Sequence, residues 1–216
     1  MDLKLARRKM IDSQIRPNDV TDERVLHAFE TVDKENFVPG AISELAYSEA
    51  ELDTVEGRKL WLARDLSKLL QALRVEADDL VLVIGAGEGY SSALLNEMAD
   101  TVIALEADEA IVEKSSDKVV SLGLDRIAFV KGDLKAGYPG EGPYDVIFVN
   151  GMVEYVPQEW IDQLAPGGRL GVVVGDARNG QARVYQKSDK ATSFHFEFEC
   201  VPPKLAEIVL EKGFVF

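Results

Sequence analysis

From Asp79 onward, short aliphatic runs alternate with helical stretches, and this alternation restricts the fold more than any other feature of the chain. The runs Leu80 to Ile84, Thr101 to Leu105, Ile127 to Val130, Tyr144 to Val149 and Arg169 to Val174 are short and rich in β-branched or aliphatic residues, as strands buried on both faces require. Between them, Tyr90 to Met98, Glu109 to Leu122 and Pro157 to Leu164 read as helices. Strands separated by helical stretches predict βαβ units around one parallel, doubly wound α/β sheet. After Gly175 the pattern changes: Ala182 to Gln186 and Phe194 to Cys200 alternate residue by residue and are joined through Ser188, Asp189 and Lys190, which predicts an antiparallel hairpin at the sheet edge.

The 216 residues allow roughly one compact unit with an appendage. We divide the chain into a helical region over 1–75 and a sheet-forming region over 76–216. In the first, Met10, Ile11 and Ile15 suggest a short amphipathic helix ending before Pro17. Thr21 offers a cap to a second helix, whose stripe is Val25, Leu26, Phe29 and Val32. Leu52 to Leu62 has no clear period and reads as a loop, and a third helix runs from about Arg64 to Leu73.

Composition excludes several function classes. A formal charge of −14 repels phosphate backbones, so nucleic acid is not an expected partner. One cysteine, Cys200, and two distant histidines, His27 and His195, provide no zinc cluster, and no metal is expected. No apolar run approaches the ~20 residues that cross a bilayer, so neither a membrane partner nor a span is expected, and the protein is placed in the cytoplasm.

The chemistry concentrates where the first strand of the sheet runs into Gly85, Ala86, Gly87, Glu88, Gly89 and then a helix. Glycines there permit a tight turn and close approach of a ligand to the backbone, at the carboxyl end of a strand where open α/β sheets bind nucleotides. The spacing is G-x-G-x-G. A dinucleotide fingerprint would need glycine where Tyr90 stands, and no phosphate-cradling G-x-x-x-x-G-K-[ST] string occurs. Glu106 closes the second strand, 21 residues after Gly85, where a carboxylate can accept both hydroxyls of a ribose. After the third strand, Asp133 is positioned to accept from an adenine amino group. Asn150-Gly151 after the fourth is either a cleft residue or an ordinary turn pair.

Taken together, Val81 to Tyr90, Glu106, Gly132-Asp133 and the Pro166-Gly167-Gly168-Arg169-Leu170 turn resemble a class I S-adenosylmethionine-dependent methyltransferase. The first half narrows the resemblance. Met10 to Ile15, Asp22 to Leu26, Glu35 to Pro39, Ala46-Tyr47 and Leu52 to Gly57 follow, in order and spacing, the protein-L-isoaspartate O-methyltransferase family, and Pro143 to Asp145 and Gln163 to Leu170 continue it over nearly the whole chain. The resemblance implies a Rossmann-like sheet, S-adenosyl-L-methionine as cofactor, and methylation of isoaspartyl carboxylates in damaged proteins or peptides. It also implies cofactor contacts from Gly85, Ala86, Gly87, Gly89, Glu106, Ala107, Asp133, Leu134 and Asn150, with Thr54 to Trp61 on the substrate side.

Two positions depart from the family. Its loop threonine and serine, which lie beside methyl donor and acceptor, correspond to Lys59 and Trp61 here. Trp61 would fill the acceptor pocket, or Lys59 or Arg58 would attract a carboxylate by charge where a hydroxyl once bonded it. Val83 stands where the family usually has an acid in the first strand. These departures leave open a methyltransferase with another acceptor, or a S-adenosylmethionine-binding protein without catalysis.

Overall fold

The computed structural model describes residues 2–54, 57–176 and 178–210. The first helix, α1 (Leu3–Met10), begins seven residues before the expected start at Met10, because the Asp2 carboxylate accepts from the Leu5 amide and caps it. It continues through a π-helical turn over Ile11–Ile15, so the predicted helix is the distal part of a longer one. The second, α2 (Glu23–Thr31), is capped by Asp22 and not by Thr21: the Asp22 carboxylate accepts from the Arg24 amide at 2.9 Å, while the Thr21 amide donates to Gln71 Oε1. Two 3-10 turns, Lys34–Phe37 and Gly40–Leu45, follow.

The stretch expected as loop carries a minimal antiparallel pair, β1 (Leu52–Asp53) with β2 (Lys59–Leu60), in the register Leu52 opposite Leu60. Val55 and Glu56, part of the predicted substrate loop, lie outside the described residues. Helix α3 (Ala63–Leu73) then leads into the sheet.

The sheet region runs β3 (Leu80–Ile84), α4 (Tyr90–Asn96), β4 (Thr101–Glu106), α5 (Glu109–Ser121), β5 (Ile127–Lys131), β6 (Tyr144–Val153), α6 (Gln158–Asp162), β7 (Leu164–Gly175), β8 (Gly180–Lys187) and β9 (Thr192–Glu199). Its strand order is β5-β4-β3-β6-β7-β8-β9, with β3 to β7 parallel and the β8-β9 hairpin antiparallel at one edge. This is the doubly wound, mostly parallel sheet read from the sequence. Several strands outrun expectation, most of all β6, which continues past Asn150-Gly151 to Val153, β7, which starts at Leu164 instead of Arg169 and is reached through a register shift, and β8, which spans Gly180–Lys187 instead of Ala182 to Gln186.

Alternate residues of each central strand feed two cores. Val81 and Val83 of β3, with Phe148, pack under α2, α3 and α4 and join the apolar face of the first 75 residues. Leu82 and Ile84 pack on the opposite face with Trp160, Leu170 and Leu205. One tryptophan therefore sits in each layer: Trp61 tilts against Phe148 at 5.9 Å between ring centroids, and Trp160 donates its Nε1–H to the Leu134 carbonyl. Among the described residues no helix is long and apolar enough to cross a membrane.

Candidate functional site

The order reverses at β3, since β4 and β5 lie to one side and β6 and β7 to the other. Open α/β sheets bind ligands at such a switch point, beyond the carboxyl ends of the strands. There the turn after Ile84 places Gly85, Gly87 and Gly89 all at positive φ, with Gly89 capping α4. The amides of Gly85 and Ala86 both donate to the Leu105 carbonyl, which fixes the turn beside the end of β4. Glu88, between the glycines, points away from the cleft and is buried in ion pairs with Lys114 and Lys118 of α5.

Glu106 is fully buried at the tip of β4. Its carboxylate accepts from two backbone amides, Gly87 at 2.9 Å and Ala107 at 2.8 Å, so both turns that flank the cleft are tied to one side chain. The outward side of that carboxylate is taken by Arg58, which donates Nε to Oε2 at 3.0 Å and Nη2 to Oε1 at 2.6 Å. The arginine stem rests on the Gly87 turn, 3.5 Å from where a Cβ would stand. Its guanidinium also reaches Glu207 at 2.7 Å. Burial opposes the Arg58 charge, yet the hydrogen bonds to Glu106 and Glu207 outweigh it and hold the guanidinium above the ordinary arginine range. Burial likewise works against the Glu207 charge, and the Arg58 hydrogen bond holds that carboxyl below its usual value.

The other side of the cleft is closed by the returning C-terminal segment. The Met152 amide donates to the Pro203 carbonyl at 2.8 Å and the Leu205 amide donates back to Met152 at 2.9 Å, while Glu154 bonds the Ile208 carbonyl. This pairing seats the Leu205 side chain, 1% exposed, over the turn: a Cβ at Gly85 or at Gly151 would lie 2.6 Å from it.

The remaining predicted positions separate into two groups. Asn150 stands within β6 and is not in a turn. It donates to the Gly85 carbonyl at 2.9 Å and accepts from Ser91 Oγ at 2.8 Å, so it locks β6 to the glycine turn and the first turn of α4. Asp133 is exposed after β5 and caps the Lys135 amide, and Leu134 is buried beneath it. Lys59 is half exposed on β2, 3.2 Å from Asp53. Trp61 is 1% exposed in the core with no partner for its Nε1–H among the described residues, and Val83 is buried on the same sheet face. Leu205 and Glu207 were not singled out by the sequence reading, and Arg58, expected there to attract an acceptor carboxylate, is bound instead to Glu106; apolar residues at Leu205 and Ile208 following the Pro202-Pro203 pair are the trace the segment leaves in the sequence.

The donor set fits a ribose. Two backbone amides pin the inner side of Glu106, and the guanidinium presents two N–H groups to its two oxygens, the same pair of donors that a vicinal diol offers. Among the described residues no group of three or more His, Cys, Asp or Glu side chains is placed to hold a metal.

A family model described as protein-L-isoaspartate(D-aspartate) O-methyltransferase matches residues 5–201. A protein-L-isoaspartate O-methyltransferase of Methanoculleus marisnigri is 37% identical over 78% of this chain and 77% of its own length. One of Petrotoga mobilis is 32% identical over 89% and 88%. A solved protein-L-isoaspartate O-methyltransferase superposes with a TM-score of 0.80 at 26% identity, covering 93% of this chain and 66% of that one. A Plasmodium falciparum structure titled a putative member, in complex with S-adenosyl-L-homocysteine, shares the fold with a TM-score of 0.74 at 17% identity over 94% of this chain and 99% of its own.

Proposed function

The chain belongs to the protein-L-isoaspartate(D-aspartate) O-methyltransferase family, and from that premise we propose that it transfers a methyl group from S-adenosyl-L-methionine to the free carboxylate of isoaspartyl residues in damaged proteins or peptides. The observation that carries this reading is Glu106: a buried carboxylate at the switch point, pinned from within by Gly87 and Ala107 and turned outward toward a two-donor partner.

When bound, the sulfonium cofactor supplies an electrophilic methyl carbon and its own leaving group. An isoaspartyl carboxylate, with a pKa of about 4, is already an anion at neutral pH, so the chain need not provide a base. Its task is alignment, which can contribute ~7 to 11 kcal/mol. Glu106 would hold the ribose hydroxyls, Gly85, Ala86, Gly87 and Gly89 would let the backbone approach the ligand, and Asp133 with Leu134 would meet the adenine. Asn150 would keep β6 and the turn in register. Lys59, half exposed and 3.2 Å from Asp53, would meet the acceptor carboxylate by exchanging that partner, and Trp61 packs against Phe148 next to it. A cytoplasmic location accords with Cys200, a lone buried thiol.

The test is incubation of the full chain with labelled S-adenosylmethionine and an isoaspartyl peptide, with the normal aspartyl peptide as control. Label on the isoaspartyl peptide alone is expected; no label on either, with the cofactor bound, would refute it. A second reading, another acceptor, is favoured by Lys59 and Trp61 at the family's threonine and serine positions, and label on neither peptide but on a different carboxylate would select it.

A further inference from the structure

The cleft that Glu106 marks is filled by the chain itself. Arg58 puts two N–H groups on the carboxylate, its stem covers Gly87, and Leu205 occupies the notch over Gly85 and Gly151. Glu207, two residues after Leu205, clamps the outer edge of the same guanidinium. Two segments far apart in sequence, the β1-β2 pair and residues 203–210, thus meet over the cofactor position through one three-membered ion network.

We propose that the Arg58–Glu106–Glu207 network and the Leu205 plug form an autoinhibitory latch, an internal stand-in for the ribose and its neighbouring groups that must be displaced before S-adenosylmethionine enters. The inference rests on the cofactor reading above and deepens it.

The physical case has three parts. First, the Glu106 carboxylate already has four hydrogen bonds in the closed form, and its oxygens offer about four acceptor sites, so a diol can bind only by replacing the guanidinium. Second, the closed form leaves none of the network's own charges without a partner: Arg58 is 10% exposed at its side chain and faces two carboxylates, and withdrawing it would leave Glu106 as an uncompensated buried charge until a ligand replaces its hydrogen bonds. Third, the strap that carries Leu205 and Glu207 is held to β6 by main-chain bonds at Met152 and Glu154 and is not a strand of the seven-stranded sheet, so its release opens no strand pairing and exposes Leu205 and Ile208. A ligand that selects the open form then binds with its intrinsic affinity reduced by the fraction of molecules that are open.

Glu207 is the accessible handle: it is 36% exposed at its side chain and touches the network through Arg58, without being one of the residues assigned to hold the cofactor. The experiment measures S-adenosylmethionine binding by calorimetry for the full chain, Glu207→Gln and Arg58→Ala, and follows hydrogen exchange of the 202–210 peptide with and without S-adenosylmethionine. Glu207→Gln is expected to lower Kd about fivefold, and Arg58→Ala about tenfold with a lower melting temperature of the ligand-free protein, since Glu106 loses its countercharge. Adding S-adenosylmethionine to the unmodified chain is expected to speed exchange over 202–210. An unchanged Kd in Glu207→Gln, together with exchange that stays constant or slows on binding, overturns the latch while leaving the cofactor reading intact. Failure of every variant to bind overturns the cofactor reading and the latch with it.

Discussion

Replacing Lys34 by methionine should make the protein more stable, by an amount that disappears at high pH. Lys34 is fully buried in the turn after α2, and its Nζ has no hydrogen-bond partner among the described residues; the closest compensation is the Tyr90 ring face, 5.8 Å from Nζ to centroid. Burial pushes the ammonium down from 10.5 to about 8. That depression corresponds to about 3 kcal/mol of penalty on the charged form. Methionine keeps most of the side-chain length and removes the charge, and loss of the cation–ring attraction takes back about 1 kcal/mol. The net gain expected at pH 7 is about 2 kcal/mol.

The sign with pH follows from linkage. Between about 8 and 10.5 the folded lysine is neutral while the unfolded one still binds a proton, so stability of the unmodified chain rises with pH across that window. Urea unfolding of both proteins at pH 7, 8.5 and 10 measures the gap directly, and taking the difference cancels every other group that titrates. A gap that stays constant with pH, or a variant less stable at pH 7, would refute the reasoning.

Glu106→Gln should raise the Kd for S-adenosylmethionine more than tenfold by calorimetry, because an amide cannot accept at all four sites that Gly87, Ala107 and a diol require. Arg169→Met should cost about 2 kcal/mol in urea unfolding, since the guanidinium joins Asp79, the Leu73 carbonyl and the Arg74 carbonyl across the start of the sheet. Cys200 is buried, and burial pushes its thiol up to about 12; in the native protein at pH 8 it should resist alkylation and become reactive only on unfolding, as a mass-spectrometric time course with and without urea would show.

The parts of the fold legible in the sequence are those whose determinants are local. The strand at Leu80 to Ile84 is an uninterrupted aliphatic run, and its bounds agree with those observed. The ends of β6 and the opening of α1 depend on remote or single-residue partners: β6 is prolonged where Met152 pairs with residues 203–205, some fifty positions later, and α1 starts at a cap that the hydrophobic stripe does not encode. The site divides the same way. Gly85, Gly87, Gly89 and Glu106 are fixed by their place at strand ends, which periodicity reveals. Arg58 reads in the sequence as a cation that either lies on a solvated loop or attracts an acceptor carboxylate, and folding brings it instead to Glu106, 48 residues away, and to Glu207, 149 away.

The placement of one tryptophan on each side of the sheet gives the molecule two independent optical reporters. Trp61 lies in the layer shared with the helical first third, three residues from Arg58, and Trp160 lies in the layer that Leu205 helps to fill. Single-tryptophan forms made with Trp61→Phe and Trp160→Phe would therefore emit from opposite halves, so that a change confined to one emission band would localise a disturbance to one layer without a label, and coincident melting of the two would demonstrate that both layers unfold as one cooperative unit.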